Sequence, residues 1–270
     1  MRLRTSLLFV LGVLGVWGVL LAQKPFHQYP GGQDGDLELP GDWDKPAEFN
    51  PARLRYRDLR SGVSVRGYGR EGAWGTDYPS GGRHLTIGLR RLTRVDSRSV
   101  EQVTELDGTD DLYNWPFLYA VEVGQWTIDD KEGKQLKEFL LRGGFLMVDD
   151  FHGTREWAIF EEGMDAVFPD RQIEDLDPSE QIFHILNDVD LKVQVANVGL
   201  ARGPRTYEKD GYNPTWRAVF DDKRRIMVAI CHNMDLGDAW EYSDDPRYPA
   251  EMAIVAHRVL QNYVIYDLTH

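Results

Sequence analysis

Internal disulfides are the first thing this chain cannot have. It holds one cysteine, Cys231, in 270 residues, so the fold must rest on its core rather than on covalent staples. Positive charge is scarce. Lys and Arg number 31 against 44 Asp and Glu, for a formal charge of -13. That balance excludes sequence-independent binding to nucleic acid, which needs basic side chains against phosphates, and it excludes a polybasic membrane surface. No P-loop, Gly-x-Gly-x-x-Gly or Gly-x-Ser-x-Gly element follows a predicted strand. Nucleotide hydrolysis and serine-hydrolase chemistry therefore lose support. There are no internal repeats. Only one long apolar run exists, residues 7–22.

That run follows Met1-Arg2-Leu3-Arg4 and contains Gly12, Gly15 and Gly18. A positive start, an apolar stretch and a small residue at Ala22 read as a secretory signal peptide over residues 1–22. The run falls short of the ~20 residues that span a bilayer. An uncleaved anchor is the alternative, and Leu20, a poor residue three positions before the cut, keeps it open. In that case alone would the chain touch a membrane. No cysteine follows the run, which argues against a lipid anchor. Cleavage would remove Arg2 and Arg4 but no acid, so the mature chain is more acidic still. Export without disulfides suits a bacterial periplasm or cell envelope. Residues 23–50, with Pro30-Gly31-Gly32-Gln33-Asp34-Gly35-Asp36 and Pro40-Gly41-Asp42, read as a linker or loosely packed arm. Residues 51–270 read as a single domain. A hydrophobic fraction of 42% is enough for a real core.

What is present in that domain is an alternation of strand and helix signals. Leu54-Arg55-Tyr56 is a weak first strand. A Gly-rich loop, 67–75, leads into Trp74-Gly75-Thr76-Asp77-Tyr78-Pro79, and Leu85, Leu89 and Leu92 repeat at helical spacing. Residues 117–123 are a strand. Thr127 with Asp130 resembles a capping box for a helix with Leu136, Phe139 and Leu140 on its apolar face. Gly143-Gly144 ends that helix, and residues 145–148 form the central strand. Trp157, Phe160, Met164, Val167 and Phe168 mark another helix. Residues 183–186 read as a helical turn and 191–198 as a strand. Residues 216–220 and 225–231 read as a β-hairpin. Met252, Val255, Val259 and Tyr263 stripe a C-terminal helix. The pattern predicts an α/β fold: a three-layer, Rossmann- or flavodoxin-like, mainly parallel sheet with helices on both faces and an added β-hairpin.

In a parallel sheet every strand-to-helix loop emerges at one edge. The loops carrying residues 74–78, 125–126 and 149–153 should therefore converge, joined by 231–241 if its strand runs parallel. This would gather Asp77, Asp149, Asp150, His152, His232, Asn233, Asp235, Asp238 and Glu241. Tyr78 lies beside them, and Trp74 and Trp240 would be apolar walls. Three readings follow. Hard oxygen ligands with imidazole could hold Mg, Ca or Zn, with Asp149, Asp150 and Asp235 as the metal candidates. Carboxylates flanked by Trp could bind or cleave a sugar, with Asp149, Asp150 and His152 as catalytic candidates. Or the acids cap helices and bond loop amides, a role that suits Asp150 and Asp77. Cys231, at the end of an apolar strand, reads as a small buried hydrophobe. His184 reads as a core histidine and His257 as a surface one.

Five stretches together resemble one family. They are Trp74-Gly75-Thr76-Asp77-Tyr78-Pro79; Tyr113-Asn114-Trp115-Pro116-Phe117-Leu118-Tyr119; Leu141-Arg142-Gly143-Gly144-Phe145-Leu146-Met147-Val148-Asp149-Asp150-Phe151; Asn233-Met234-Asp235-Leu236-Gly237-Asp238-Ala239-Trp240-Glu241; and Asn262-Tyr263-Val264-Ile265-Tyr266 with Thr269-His270. They look like the uncharacterised bacterial family called domain of unknown function 4159, across residues 49–270. The resemblance implies a Rossmann-like fold akin to class I glutamine amidotransferases, and no established activity. Some relatives carry the domain at the end of larger membrane proteins with von Willebrand-type regions, which implies envelope proteins as partners. Glutaminase chemistry does not carry over. It needs a cysteine at a tight turn after a central strand, and here that strand ends in Asp149-Asp150. The expected role is ligand or protein binding within an envelope assembly. The alternative is a hydrolase, metal-assisted or glycan-directed, using the strand-end carboxylates.

Overall fold

The computed structural model describes residues 24–30, 37–59 and 72–270. The apolar run of residues 7–22 and most of the Gly-rich loop lie outside them. Among the described residues no helix is long and apolar enough to cross a membrane.

The segment Phe145–Asp149 (β6) is buried at every position, as its unbroken apolar run requires of a strand covered on both faces. It lies at the centre of a seven-stranded sheet among the described residues. Five strands are parallel: Gln102–Glu105 (β3), Ala52–Arg55 (β1), Phe117–Val121 (β4), β6 and Ile226–His232 (β9), in that spatial order. Thr215–Phe220 (β8) and Glu174–Asp175 (β7) complete it in antiparallel pairings. A two-residue pairing of Arg57–Asp58 (β2) with Trp126–Thr127 (β5) stands apart. The chain is thus a mixed α/β domain with a mainly parallel sheet.

Side-chain alternation along the strands feeds two cores. Phe117, Tyr119, Val121, Phe145 and Met147 pack with Leu85 and Leu89 of Ser80–Leu92 (α1) and with Trp240 of Leu236–Glu241 (α4). Val255, Val259 and Tyr263 of Ala250–Thr269 (α5) join the same cluster. Leu118, Ala120, Leu146 and Val148 pack instead with Leu136 and Phe139 of Asp130–Leu141 (α2) and Phe160 and Met164 of Gly153–Val167 (α3). Each Val, Leu, Phe or Met among them contributes about 1.5–3 kcal/mol by leaving water.

Several expectations need correction. The capping box of α2 is Asp129 with Glu132, not Thr127 with Asp130. Thr127 is drawn into β5, and its hydroxyl donates to the Arg57 carbonyl. Residues 191–198 are not a strand. The segment instead offers the Val195 and Ala196 carbonyls to Asp235 N and the Tyr248 hydroxyl, so these groups are spent on a loop and a side chain rather than on a strand partner. β3 had no strand signal. Leu92 is exposed. His184 lies on the surface beside Asp188, and His257 is half-buried against Gly88 rather than on the surface. Gly143 does end α2, with φ 111°, in the region that favours glycine.

Candidate functional site

β9 runs parallel to β6 despite the hairpin before it. Its trailing loop therefore opens on the same edge as the loops after β1, β4 and β6. At that edge Asp77, Asp150 and Asp235 each bring one carboxylate oxygen within 4.8 Å of the others. A second trio, Asp77, Asp238 and Glu241, adjoins it, and a third, Asp150, His152 and Glu208, lies on its other flank.

The backbone is shaped to make this gathering. Among the described residues six non-glycines have left-handed φ, and five stand here: Asp77, Glu122, Asp150, Lys209 and Asn233, at 50–65°. Only Arg224, in the β8–β9 turn, lies elsewhere. Such strain persists where the surroundings over-determine it, and it concentrates at functional sites. At Gly237 a Cβ would stand 2.1 Å from Asp77 Oδ2 and 3.0 Å from the Tyr119 hydroxyl. Only glycine leaves room there for the carboxylate.

The acids differ in what they already hold. Asp149 is fully buried, and its Oδ2 accepts from Leu236 N at 2.8 Å, Gly237 N at 3.1 Å and Tyr119 Oη at 3.3 Å. It thus satisfies the N-terminus of α4 from across the sheet. Asp235 is the N-cap of α4, with Oδ1 accepting from Asp238 N at 2.9 Å. Asp238 Oδ2 accepts from Val198 N. The two residues expected to cap helices do not. The amides at the start of α3 go to Glu156, Asn233 and Asp210 instead of Asp150. The N-cap of α1 is Pro79, with no side-chain bond from Asp77. Asp77 is partly exposed as a residue, yet its Oδ2 is sealed from water and has no donor. Asp149 Oδ1 and Glu122 Oε2 are sealed and unpartnered as well.

The cations that act on this cluster are bonded elsewhere. Arg53, 1% exposed, gives Nε to Glu101 Oε1 at 2.9 Å and Nη1 to the carbonyls of Trp74 and Thr76. Lys209 pairs with Glu156. Burial first, and neighbouring carboxylates second, therefore push Asp77, Asp150 and Asp235 well above the usual carboxylate range. Burial carries Asp149 up to about 7 against its backbone donors, and it raises Glu122 strongly. His152, 3% exposed, is pulled below the ordinary histidine value by burial. At 4.8 Å and an effective dielectric near 20, each pair of ionised carboxylates repels by about 3 kcal/mol.

Other expected site residues lie outside the cluster. His232 is pressed between Phe151 and Trp157, bonded to the Gly153 carbonyl and Arg217, and burial lowers it to about 4. Asn233 caps Gly153 N and donates to the Asn213 carbonyl. Tyr78 is buried, and its hydroxyl accepts from Tyr29 N. Trp74 and Trp240 are 2% and 1% exposed and pack in opposite cores, so neither is an open wall on which a sugar could stack. Cys231 is fully buried inside β9, 3.7 Å from the Tyr263 hydroxyl, and burial drives its thiol far from ionisation. Arg53, Glu122, Glu156, Glu208 and Lys209 gave no signal of a site in the sequence. Glu122 could have been found, because it follows β4 directly as Asp150 follows β6.

No curated protein matches the chain. One family model matches residues 52–268, which cover every acid described above, and the chain belongs to the family it describes, Domain of unknown function (DUF4159).

Proposed function

We propose that this domain binds a divalent cation at the sheet edge through Asp77, Asp150 and Asp235, as an exported ligand- or protein-binding module of an envelope assembly. One observation carries the reading: a sealed carboxylate oxygen on Asp77, without a donor, in a trio of acids that no Lys or Arg among the described residues pairs with. Ligand atoms within 4.8 Å of one another suit a single ion with bonds of about 2.1–2.4 Å. All-oxygen donors favour Mg²⁺, Ca²⁺ or Mn²⁺. Taken in chain order, the parallel strands lie 2-1-3-4-5. That order supports the three-layer flavodoxin-like reading, with its crevice at the β1/β4 switch point. A metal-assisted hydrolase would use the same site. The glycan-directed alternative loses its stacking platform with the burial of both tryptophans.

Calorimetric titration with Mg²⁺, Ca²⁺ and Mn²⁺ tests the site. Asp77→Asn should weaken the tightest of these at least tenfold. It should also raise the melting temperature of the cation-free protein, because one repelling charge is gone. A lower melting temperature with unchanged affinity would mean a structural acid. Export is tested separately. Mass spectrometry of protein from a periplasmic extract should show residues 1–22 removed, and an intact N-terminus in a soluble cytoplasmic fraction would refute it.

A further inference from the structure

We infer that the edge holds two divalent cations rather than one, with Asp150 as the carboxylate they share and with His152 and Glu208 completing the second subsite. This rests on the cation reading above and extends it. Asp150 belongs to two trios whose ligand atoms each fit within 4.8 Å: one with Asp77 and Asp235, the other with His152 and Glu208. A carboxylate has two oxygens, so one residue can serve neighbouring ions.

The second trio is not a group of acids alone. His152 Nε2 stands 3.1 Å from Asp150 Oδ1 and 3.9 Å from Glu208 Oε1. Ligands around an ion with bonds of about 2.1 Å are separated by roughly 3.0–3.4 Å when adjacent and up to about 4.2 Å when opposed. Both distances fall in that range. The imidazole is deeply buried, 4% exposed at its side chain, and its Nδ1 is sealed with no partner. Nε2 meets Asp150 at hydrogen-bonding distance, so the ring is held toward the cluster by Nε2 while Nδ1 is left unsatisfied. Its backbone is fixed from the other side, with His152 N donating to Glu156 Oε2 at 2.7 Å. Glu208 Oε1 accepts from Asn197 Nδ2, and the Glu208 side chain, 23% exposed, marks the open side of the subsite.

The two subsites differ in donor chemistry. The Asp77 side is all oxygen and suits a hard cation. The His152 side adds an imidazole nitrogen and favours Mn²⁺ or Zn²⁺ over Mg²⁺ or Ca²⁺. Two ions sharing a carboxylate stand about 3.5–4 Å apart.

The test uses the purified full chain loaded with Mn²⁺ and dialysed. Metal is counted by plasma mass spectrometry, and the pair is read by electron paramagnetic resonance. Wild type should hold two Mn²⁺ per chain with an exchange-coupled spectrum. Both His152→Gln and Glu208→Gln should hold one, with an isolated six-line signal. Glu208 is half-buried in irregular chain rather than in the core, so its variant folds even if the buried histidine change does not. One ion in wild type, unaffected by either change, would overturn the second subsite and leave the first. Two ions still present in both variants would overturn this choice of ligands. No ion at all would remove both readings.

Discussion

The cation-free protein should melt at a lower temperature as pH rises from 6.5 to 8.5. The carboxyls of Asp77, Asp150 and Asp235 have folded-state pKa values raised above the unfolded ones, chiefly by burial. A group of that kind binds more protons folded than unfolded. Its protonated form favours the native state, and that advantage is lost as pH climbs from the unfolded value toward the folded one. Each carboxyl still protonated in the fold costs about 1.4 kcal/mol per pH unit through this range. Asp149, raised from 3.8 to about 7, has lost most of its advantage by neutrality, roughly 4 kcal/mol in all. Buried histidines act in the opposite direction. His232 and His257, lowered to about 4, gain stability with rising pH only up to about 6.5. Acids held low by hydrogen bonds, such as Asp107 near 2, have finished titrating by about pH 5. Above 6.5 the edge carboxyls therefore dominate, joined by Asp267 of α5, which burial raises to about 7 and whose own loss is nearly complete by about pH 7.5. A fall of 5 °C or more is expected there for a domain of this size. Mn²⁺ at about 100 times its Kd should restore some 2.7 kcal/mol at pH 8.5 and much less at pH 6.5, where protons compete. Differential scanning calorimetry at both pH values reads this directly. A flat melting temperature that ignores the metal would contradict the whole account of the edge.

Arg53→Met should be among the most damaging single changes in the domain. The guanidinium is buried with Glu101, which is 4% exposed. It also lies 5.0 Å from the Tyr119 ring centroid. Removing one partner of such a pair leaves an uncompensated buried charge, at about 3–5 kcal/mol. The same side chain holds the Trp74 and Thr76 carbonyls, so the loop that presents Asp77 should loosen with it. A melting temperature lower by roughly 10 °C is expected. The double change Arg53→Met with Glu101→Gln should recover much of that, because no charge is then stranded. If the single variant melts within 2 °C of wild type, the pair is not a support of the edge. Cation affinity measured on the double variant then separates loop positioning from global stability.

The parallel core was legible because its strands are short, continuous apolar runs. Residues 145–149 and 226–232 can hardly be anything else. The shared edge followed from topology alone, since consecutive parallel strands open their loops on one side. What stayed hidden had no local signal. β3 contributes four residues at a sheet margin, and its partner is supplied by tertiary context rather than by pattern. Glu208 and Lys209 lie in irregular chain between β7 and β8, where periodicity says nothing. The roles of individual acids were hidden for a different reason. Capping depends on where a carboxylate points, and Asp149 reaches amides of α4 that are 87 and 88 positions away in sequence. Sequence neighbours could suggest only the local caps, Asp150 and Asp77, and neither side chain makes the expected cap.

That long-distance bond has a consequence for motion. Because Asp149 grips the amides of Leu236 and Gly237, the tip of β6 and the loop after β9 cannot separate without stranding a buried carboxylate. The acids that these two strands carry to the edge are therefore held in a single rigid frame. Local fraying is denied to the first turn of α4, short as that helix is. Its amides should exchange with solvent deuterium at the slow pace of the central strands, through opening of the sheet itself.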